Sequence, residues 1–96
     1  MKVLITDGNE RAALAVTRAL GGEQVEVIVG AESQRSLAGS SRYCRQSIAY
    51  PSPYQEPERF IATLMEAVQT HRVDALIPLS DIAMHVLGPE KAQFEK

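Results

Sequence analysis

Short apolar runs alternate with helix-like stretches along this chain. Four runs have the length and the β-branched content of strands: 3–6, 25–29, 46–50 and 75–79. Three further stretches repeat apolar residues at helical spacing: 11–20, 57–71 and a shorter one from Ser80 or Asp81 to Leu87. The pattern therefore predicts strands and helices in the order βα, β, loop, β, αβ, α.

This order predicts a three-layer, Rossmann-like α/β fold with helices on both faces of a parallel sheet. Right-handed crossovers make 3-2-1-4 the expected strand order, with strands one and four side by side. The first strand is apolar without alternation, as expected for a strand buried on both faces. With 45% hydrophobic residues, the 96 residues are predicted to form one domain, 1–96.

Local signals predict where the helices begin and end. Asn9 has the side chain of a helix N-cap, and Gly21-Gly22 suits a left-handed helix stop. Gly88-Pro89 is predicted to break the third helix. The serine-rich segment 31–45 shows only a weak helical pattern and is predicted to be a loop with one helical turn.

Charge and composition exclude several classes of partner. The formal net charge is −2 and the basic residues are scattered, whereas nucleic acids and membrane surfaces require clustered basic charge. No run approaches the roughly 18 apolar residues of a membrane span, and the start of the chain lacks a secretory signal. We therefore predict a cytoplasmic protein without nucleic-acid or membrane partners, and a homodimer stays possible.

Cysteine and histidine chemistry is sparse. Cys44 is the single cysteine, so no disulfide can form within the chain. His71 and His85 do not stand at a spacing typical of zinc ligands. No metal site and no catalytic residue are predicted in these 96 residues.

Polar residues follow the first and the fourth predicted strand. They are Asp7, Gly8, Asn9 and Glu10 after the first, and Ser80 and Asp81 after the fourth. The carboxyl ends of parallel strands are where open α/β sheets bind ligands, so both turns are expected to face one crevice and to bind substrate. Helix capping alone would equally explain Asp7 and Asp81.

The first turn lacks a dinucleotide fingerprint. It contains only Gly8, and the second and third positions of G-x-G-x-x-G hold Glu10 and Ala13. A carboxylate at Glu10 would repel phosphate. An NAD(P)-binding domain remains an alternative, because Glu32 after the second strand could hold a ribose and Arg35 a 2′-phosphate. A non-enzymatic interaction module is the other alternative.

Three segments carry a resemblance to a known family: Met1-Lys2-Val3-Leu4-Ile5-Thr6-Asp7-Gly8, Ala13-Leu14-Ala15-Val16-Thr17-Arg18-Ala19-Leu20 and Ile77-Pro78-Leu79-Ser80-Asp81. Together they resemble the N-terminal, pre-ATP-grasp domain of ATP-grasp ligases, in the carbamoyl-phosphate-synthase-like branch of carboxylate–amine ligases. The resemblance implies a longer parent enzyme whose later lobes hold ATP and magnesium. There the substrate carboxylate is phosphorylated to an acyl phosphate, which an amine attacks.

The resemblance also implies a role for this domain. It would supply one wall of the substrate cleft through Gly8, Asn9 and Glu10 and through Ser80 and Asp81. Its partners would be the remaining ATP-grasp lobes and a small carboxylate or amine substrate. Without those lobes, the 96 residues would hold no cofactor and have no ligase activity.

Overall fold

A computed structural model describes residues 1–33 and 35–87 of the chain. In chain order the elements are β1 (Lys2–Ile5), α1 (Arg11–Gly22), β2 (Glu26–Ala31), a 3-10 turn (Ala38–Ser40), β3 (Cys44–Ala49), α2 (Pro57–Thr70), β4 (Ala75–Ile77) and α3 (Asp81–Leu87). Each predicted strand and helix is present, with ends that differ only slightly from the prediction. The predicted helix break at Gly88-Pro89 lies outside the described residues.

The four strands form one parallel sheet in the order β3-β2-β1-β4. β1 lies between β2 and β4, with Leu4 opposite Ile28 on one side and Leu76 on the other. Both the Rossmann-like α/β class and the strand order 3-2-1-4 are therefore confirmed. The carboxyl ends of all four strands meet at one edge of the sheet.

Helices cover both faces of the sheet, and each face has its own core. Leu4 and the next residue, Ile5, are both fully buried but belong to different cores, because successive strand residues point to opposite faces. On the face of α2 and α3 the buried residues are Leu4, Ile28, Tyr50, Phe60, Leu64, Ala67, Ala83 and Leu87. On the face of α1 and the 3-10 turn they are Val3, Ile5, Ala13, Val27, Val29 and Ala38.

The N-terminus of α1 differs from the prediction. Glu10, and not Asn9, is the N-cap, and it makes no side-chain capping bond. The Asn9 Oδ1 atom instead accepts a hydrogen bond from the Leu37 amide at 3.1 Å. The Asn9 side chain is thus used to attach the loop after β2, a contact that local sequence does not reveal.

The C-terminus of α1 also differs. The predicted left-handed glycine stop is wrong, since Gln24 is the residue with positive φ there, at 65°, and neither Gly21 nor Gly22 has one. Gly21 serves a packing role, because a Cβ atom on it would stand 2.5 Å from the Tyr43 Cβ atom. The small residue lets the segment before β3 pack against the end of α1.

Within the described part of the chain, none of the helices has the length and apolar character needed to cross a bilayer.

Candidate functional site

A cavity of about 130 Å3 lies at the carboxyl edge of the sheet. Three separate segments form it: the turn after β1, the end of β2 and the residue that follows β3. Its lining consists of Asp7, Gly8, Asn9, Glu10, Ala31, Glu32 and Tyr50. Four of the six residues predicted to bind substrate therefore share one cavity.

Asp7 opens the turn in a left-handed backbone conformation, with φ of 60°. Asp tolerates this region better than most residues, and here two contacts stabilise it. The Asp7 amide donates a hydrogen bond to the Tyr50 Oη atom at 2.9 Å, and the Thr6 hydroxyl donates one to the Asp7 carboxylate. Thr6, directly after β1, thus orients the Asp7 carboxylate, while Tyr50, directly after β3, fixes the Asp7 backbone.

Thr6 connects the turn after β1 to the turn after β4. Its side chain is fully buried, and its Oγ1 atom accepts a hydrogen bond from the Leu79 amide at 3.0 Å. The Thr6 amide donates to the Ile77 carbonyl oxygen at 3.2 Å. The two polar turns are therefore neighbours, as the strand order predicts.

Ser80 and Asp81 are not among the residues that line the cavity. The Ser80 Oγ atom accepts a hydrogen bond from the Ala83 amide at 3.1 Å and so caps α3. Asp81 is exposed in the first turn of that helix, where a negative charge is favourable. The structure thus shows a capping role for Ser80 and separates both residues from the first turn's cavity.

Gly8 is required by a close approach of the loop after β2. A Cβ atom at this position would stand 2.5 Å from the Ser36 Oγ atom and 2.7 Å from the Val29 Cγ1 atom. The Gly8 carbonyl oxygen accepts from the Ala38 amide at 2.8 Å, and the Gly8 amide donates to the Gly30 carbonyl oxygen at 3.0 Å. Both polar backbone groups of the glycine are therefore occupied within the protein, and its open side is filled by Ser36.

Among the described residues, the charged side chains that line the cavity are all acidic. They belong to Asp7, Glu10 and Glu32, and none of the lining residues described is a lysine, an arginine or a histidine. Arg35, the candidate for a 2′-phosphate, is exposed and outside the lining. The cavity therefore favours a cationic or hydrogen-bond-donating group over a phosphate.

Tyr50 contributes a neutral polar group to the cavity, as does Asn9. The Tyr50 residue is 6% exposed, and its ring packs edge-on against Phe60, with ring centroids 4.8 Å apart. Burial raises the pKa of the Tyr50 hydroxyl above its ordinary value, and the nearby carboxylates of Asp7 and Glu32 act in the same direction. The hydroxyl is therefore protonated throughout the physiological pH range.

Metal-ligating chemistry is not assembled in the described residues. Within 1–33 and 35–87, no three His, Cys, Asp or Glu side chains come close enough together to hold a metal ion. The Cys44 thiol is half-buried and contacts the Gln46 carbonyl oxygen at 3.2 Å.

Sequence reasoning missed Tyr50 as a site residue. A tyrosine directly after a predicted strand, at the ligand-binding edge of the sheet, was an available signal. Glu32 entered only as part of the dinucleotide alternative, although it lies beside the first turn in the cavity. Both residues reach the cavity because β2 lies beside β1 and β3 lies beside β2, so the carboxyl ends of the three strands are neighbours.

Comparison with solved structures shows a likeness in fold. The chain is similar over 100% of its length to a glycinamide-RNase-transformylase T from Mycobacterium tuberculosis, with a TM-score of 0.69 and 18% sequence identity. It spans 28% of the length of that protein. No family model matches the chain, and no curated protein is significantly similar to it in sequence. At 18% identity, the likeness establishes the fold alone.

Proposed function

We propose that this chain is the N-terminal, substrate-side domain of an ATP-dependent carboxylate–amine ligase of the ATP-grasp class. In the complete enzyme, the other lobes would bind ATP and magnesium and form the acyl phosphate. This domain would form one wall of the substrate cleft. The cavity residues Asp7, Gly8, Asn9 and Glu10 would contact substrate, while Ser80 and Asp81 would face the cleft farther along the sheet edge.

The observation that carries the proposal is the fold likeness over the whole chain. The match is to part of a glycinamide-RNase-transformylase T, and this chain covers 28% of that longer protein. The proposal also agrees with the sequence resemblance, which lies in β1, α1 and the turn after β4. The carbamoyl-phosphate-synthase-like branch is supported by the sequence resemblance only.

The residues of this chain do not suit the phosphates of ATP. The Gly8 amide is bonded to Gly30, and the lining charges are those of Asp7, Glu10 and Glu32. Phosphate sites need free amides and positive charge. This chemistry agrees with the resemblance, in which the remaining lobes of a longer chain would bind ATP.

A dinucleotide-binding domain is the second candidate, and the position of Glu32 favours it. An acidic residue after β2, beside the turn after β1, is where such enzymes hold a ribose. The approach of a pyrophosphate to that turn is blocked, however, by Ser36 against Gly8. The acidic lining opposes a pyrophosphate too, so we rank this candidate second.

Nucleotide titration of the 96-residue chain separates the two candidates. We expect no binding of NADH, NADPH or magnesium-ATP in the micromolar range when it is measured by calorimetry. Micromolar NADH affinity that is lost in Glu32→Gln would favour the hypothesis of a dinucleotide-binding domain. Glu66→Gln, the same change on an exposed residue of α2, is the matched control.

The ligase activity itself is tested in the longer chain that the proposal requires. Candidate carboxylates would be incubated with ATP and hydroxylamine, which converts an acyl phosphate to a hydroxamate. We expect ADP and hydroxamate to form together, and Asp7→Asn to raise the KM of the substrate held by this domain more than that of ATP. Absence of such a longer chain, or hydride transfer without ADP formation, would refute the proposal.

A further inference from the structure

The two edges of the sheet differ in character. At one edge is β3, whose Arg45 and Gln46 are exposed. Charged residues of this kind protect a free edge from pairing with another strand. At the opposite edge is β4, which consists of Ala75, Leu76 and Ile77, all of them half-buried. β4 therefore has the composition of an interior strand, although no described strand lies beyond it.

The side chains of β4 take part in the cores on both faces of the sheet. Ala75 and Ile77 pack against the core under α1, whereas Leu76 packs against the core under α2 and α3. All three residues nevertheless remain partly accessible to solvent. A strand that is apolar on both faces is typical of the covered interior of a parallel sheet. The accessible surface of β4 is thus the surface that a neighbouring strand would cover.

The backbone of β4 presents hydrogen-bonding groups at the same edge. The Ile77 carbonyl oxygen accepts the Thr6 amide at 3.2 Å, so the polar backbone groups of Ile77 point towards β1. Successive residues of a strand direct these groups to opposite sides, and the Leu76 N–H and C=O therefore point away from β1. Pro78, at the next outward position, has no N–H to donate. Pairing at this edge would consequently centre on Leu76.

The position of α3 indicates the direction in which the chain continues. α2 links β3 to β4 across one face of the sheet, and α1 links β1 to β2 in the opposite direction across the other face, as right-handed crossovers require. α3 lies on the face of α2, where Ala83 and Leu87 are buried in the same core as Phe60. A right-handed crossover that starts from β4 on this face leads to the position beyond β4.

The length of α3 also suits the beginning of a parallel strand at that position. Its seven residues rise by roughly 10 Å, and the three residues of β4 span roughly 10 Å as well. Because Ala83 and Leu87 are both buried in the core, α3 runs back over the sheet and returns the chain to the level where β4 begins. Residues 88–96 contain no Val, Ile or Thr, so a strand is predicted only from residues that follow them.

We propose that the free edge of β4 binds a further parallel strand, supplied by the polypeptide that follows residue 96 in the longer parent protein. The partner is a short strand that is apolar on both faces and whose backbone pairs with the N–H and C=O of Leu76. The inference rests on the proposed function for the existence of that longer chain. It goes beyond that function by assigning β4 as a surface through which this domain joins the rest of the protein.

Hydrogen exchange of single amides, measured in the 96-residue chain and in the longer chain, tests the inference. We expect the Leu76 amide to exchange about tenfold or more slowly in the longer chain, because it gains a hydrogen-bond partner there. Ala49 is the matched control at the other edge. The Tyr50 amide bonds to the Ala31 carbonyl oxygen, so the Ala49 N–H points away from β2. Its exchange rate should be the same in both chains.

Two alanine-to-lysine variants of the longer chain locate the effect. Ala75→Lys puts on β4 a charge that an open edge tolerates and an interior strand does not. It should return the exchange of the Leu76 amide towards the rate measured in the 96-residue chain. Ala49→Lys, the same change on an exposed residue of β3, should leave the Leu76 amide unaffected.

Three results would overturn the inference. Equal exchange of the Leu76 amide in the two chains would show an open edge. Equal slowing of the Leu76 and Ala49 amides would indicate general burial instead of pairing at β4. Protection of the Leu76 amide in the 96-residue chain that disappears on dilution would assign the edge to a second copy of this chain.

The measurement does not depend on ligase activity, so the two proposals fail separately. A longer chain that protects the Leu76 amide but makes no acyl phosphate would refute the proposed function and leave the strand pairing standing. A longer chain that makes acyl phosphate while the Leu76 amide exchanges as fast as in the 96-residue chain would refute the strand pairing alone.

Discussion

Thr6 is the residue on which the geometry of the site depends most directly. One buried hydroxyl accepts the Leu79 amide and donates to the Asp7 carboxylate. It therefore joins the turn after β4 to the cavity residue whose backbone has positive φ. A valine would have nearly the same shape at this position but neither hydrogen bond.

Thr6→Val is expected to lower the free energy of unfolding by about 1–3 kcal/mol, because it leaves the part-buried Leu79 amide without its partner. Urea unfolding measures this loss, and hydrogen exchange of the Leu79 amide reports its cause. Thr6→Ser keeps the hydroxyl and should preserve the slow exchange of that amide. Equal exchange rates in the valine and serine variants would contradict the role assigned to the hydroxyl.

The ionisation of Tyr50 is expected to lower the free energy of unfolding at alkaline pH. Its folded-state pKa is raised by burial, while the unfolded value is about 10. Below about pH 10 the hydroxyl is neutral in both states and its stabilising contribution is complete. At higher pH the unfolded state loses the proton first, so the free energy of unfolding falls by up to about 1.4 kcal/mol per pH unit.

Urea unfolding between about pH 9 and pH 11, a range centred on the unfolded-state pKa, measures this effect. The wild-type protein should lose stability more steeply than Tyr50→Phe, which retains the packing against Phe60 but cannot ionise. If the free energy of unfolding falls equally steeply with pH in the two proteins, Tyr50 ionises as easily when folded as when unfolded.

At the scale of elements, the loop after β2 is the unexpected part of the site. It is attached to the turn after β1 by the Ala38 amide on the Gly8 carbonyl oxygen and by the Leu37 amide on Asn9. Ser36, which is buried, fills the space beside Gly8. This part of the loop thus supports the turn that lines the cavity.

Gly8→Ala is expected to destabilise the domain by about 1–3 kcal/mol, the usual cost of overpacking. The new methyl would collide with Ser36 and with Val29, which is in the core. Gly22→Ala is the control, since a Cβ there meets nothing within 4 Å and alanine favours a helix. Chemical denaturation of both variants checks the difference, and similar midpoints would disprove the close approach at Gly8.

At the scale of the whole molecule, a single sheet separates two cores. α1 covers one face, and α2 with α3 covers the other. Because β1 and β2 contribute alternating residues to both cores, neither core can be removed without exposing the strands of the other. The domain is therefore expected to unfold as one cooperative unit.

Leu4→Ala and Ile5→Ala test this cooperativity from opposite faces of β1. Both side chains are fully buried, so each truncation should cost about 2–5 kcal/mol. Circular dichroism and tyrosine fluorescence should give coincident transitions in both variants, and Arg18→Ala, on the exposed side of α1, should unfold like the wild type. If circular dichroism and tyrosine fluorescence report transitions at different denaturant concentrations in either variant, the two faces of the sheet are separately stable.

Much of the fold could be predicted from local signals. Apolar periodicity located every strand and helix of the described chain, and the handedness of crossovers then set the strand order. The same rules placed Asp7, Gly8, Asn9 and Glu10 at the ligand-binding edge. The predicted cap at Asn9 and the glycine stop at Gly21-Gly22 were wrong because tertiary contacts with Leu37 and Tyr43 use those residues differently.

By itself, the sequence determined the element order, the parallel sheet and the edge at which a site would form, since these depend on periodicity and chain handedness. The tertiary structure decided which side chains share the cavity. The deciding hydrogen bonds join Asn9 to Leu37, Asp7 to Tyr50 and Thr6 to Leu79, across 28, 43 and 73 positions of the chain. Pairings at such distances follow from packing of the whole sheet, which no local pattern encodes.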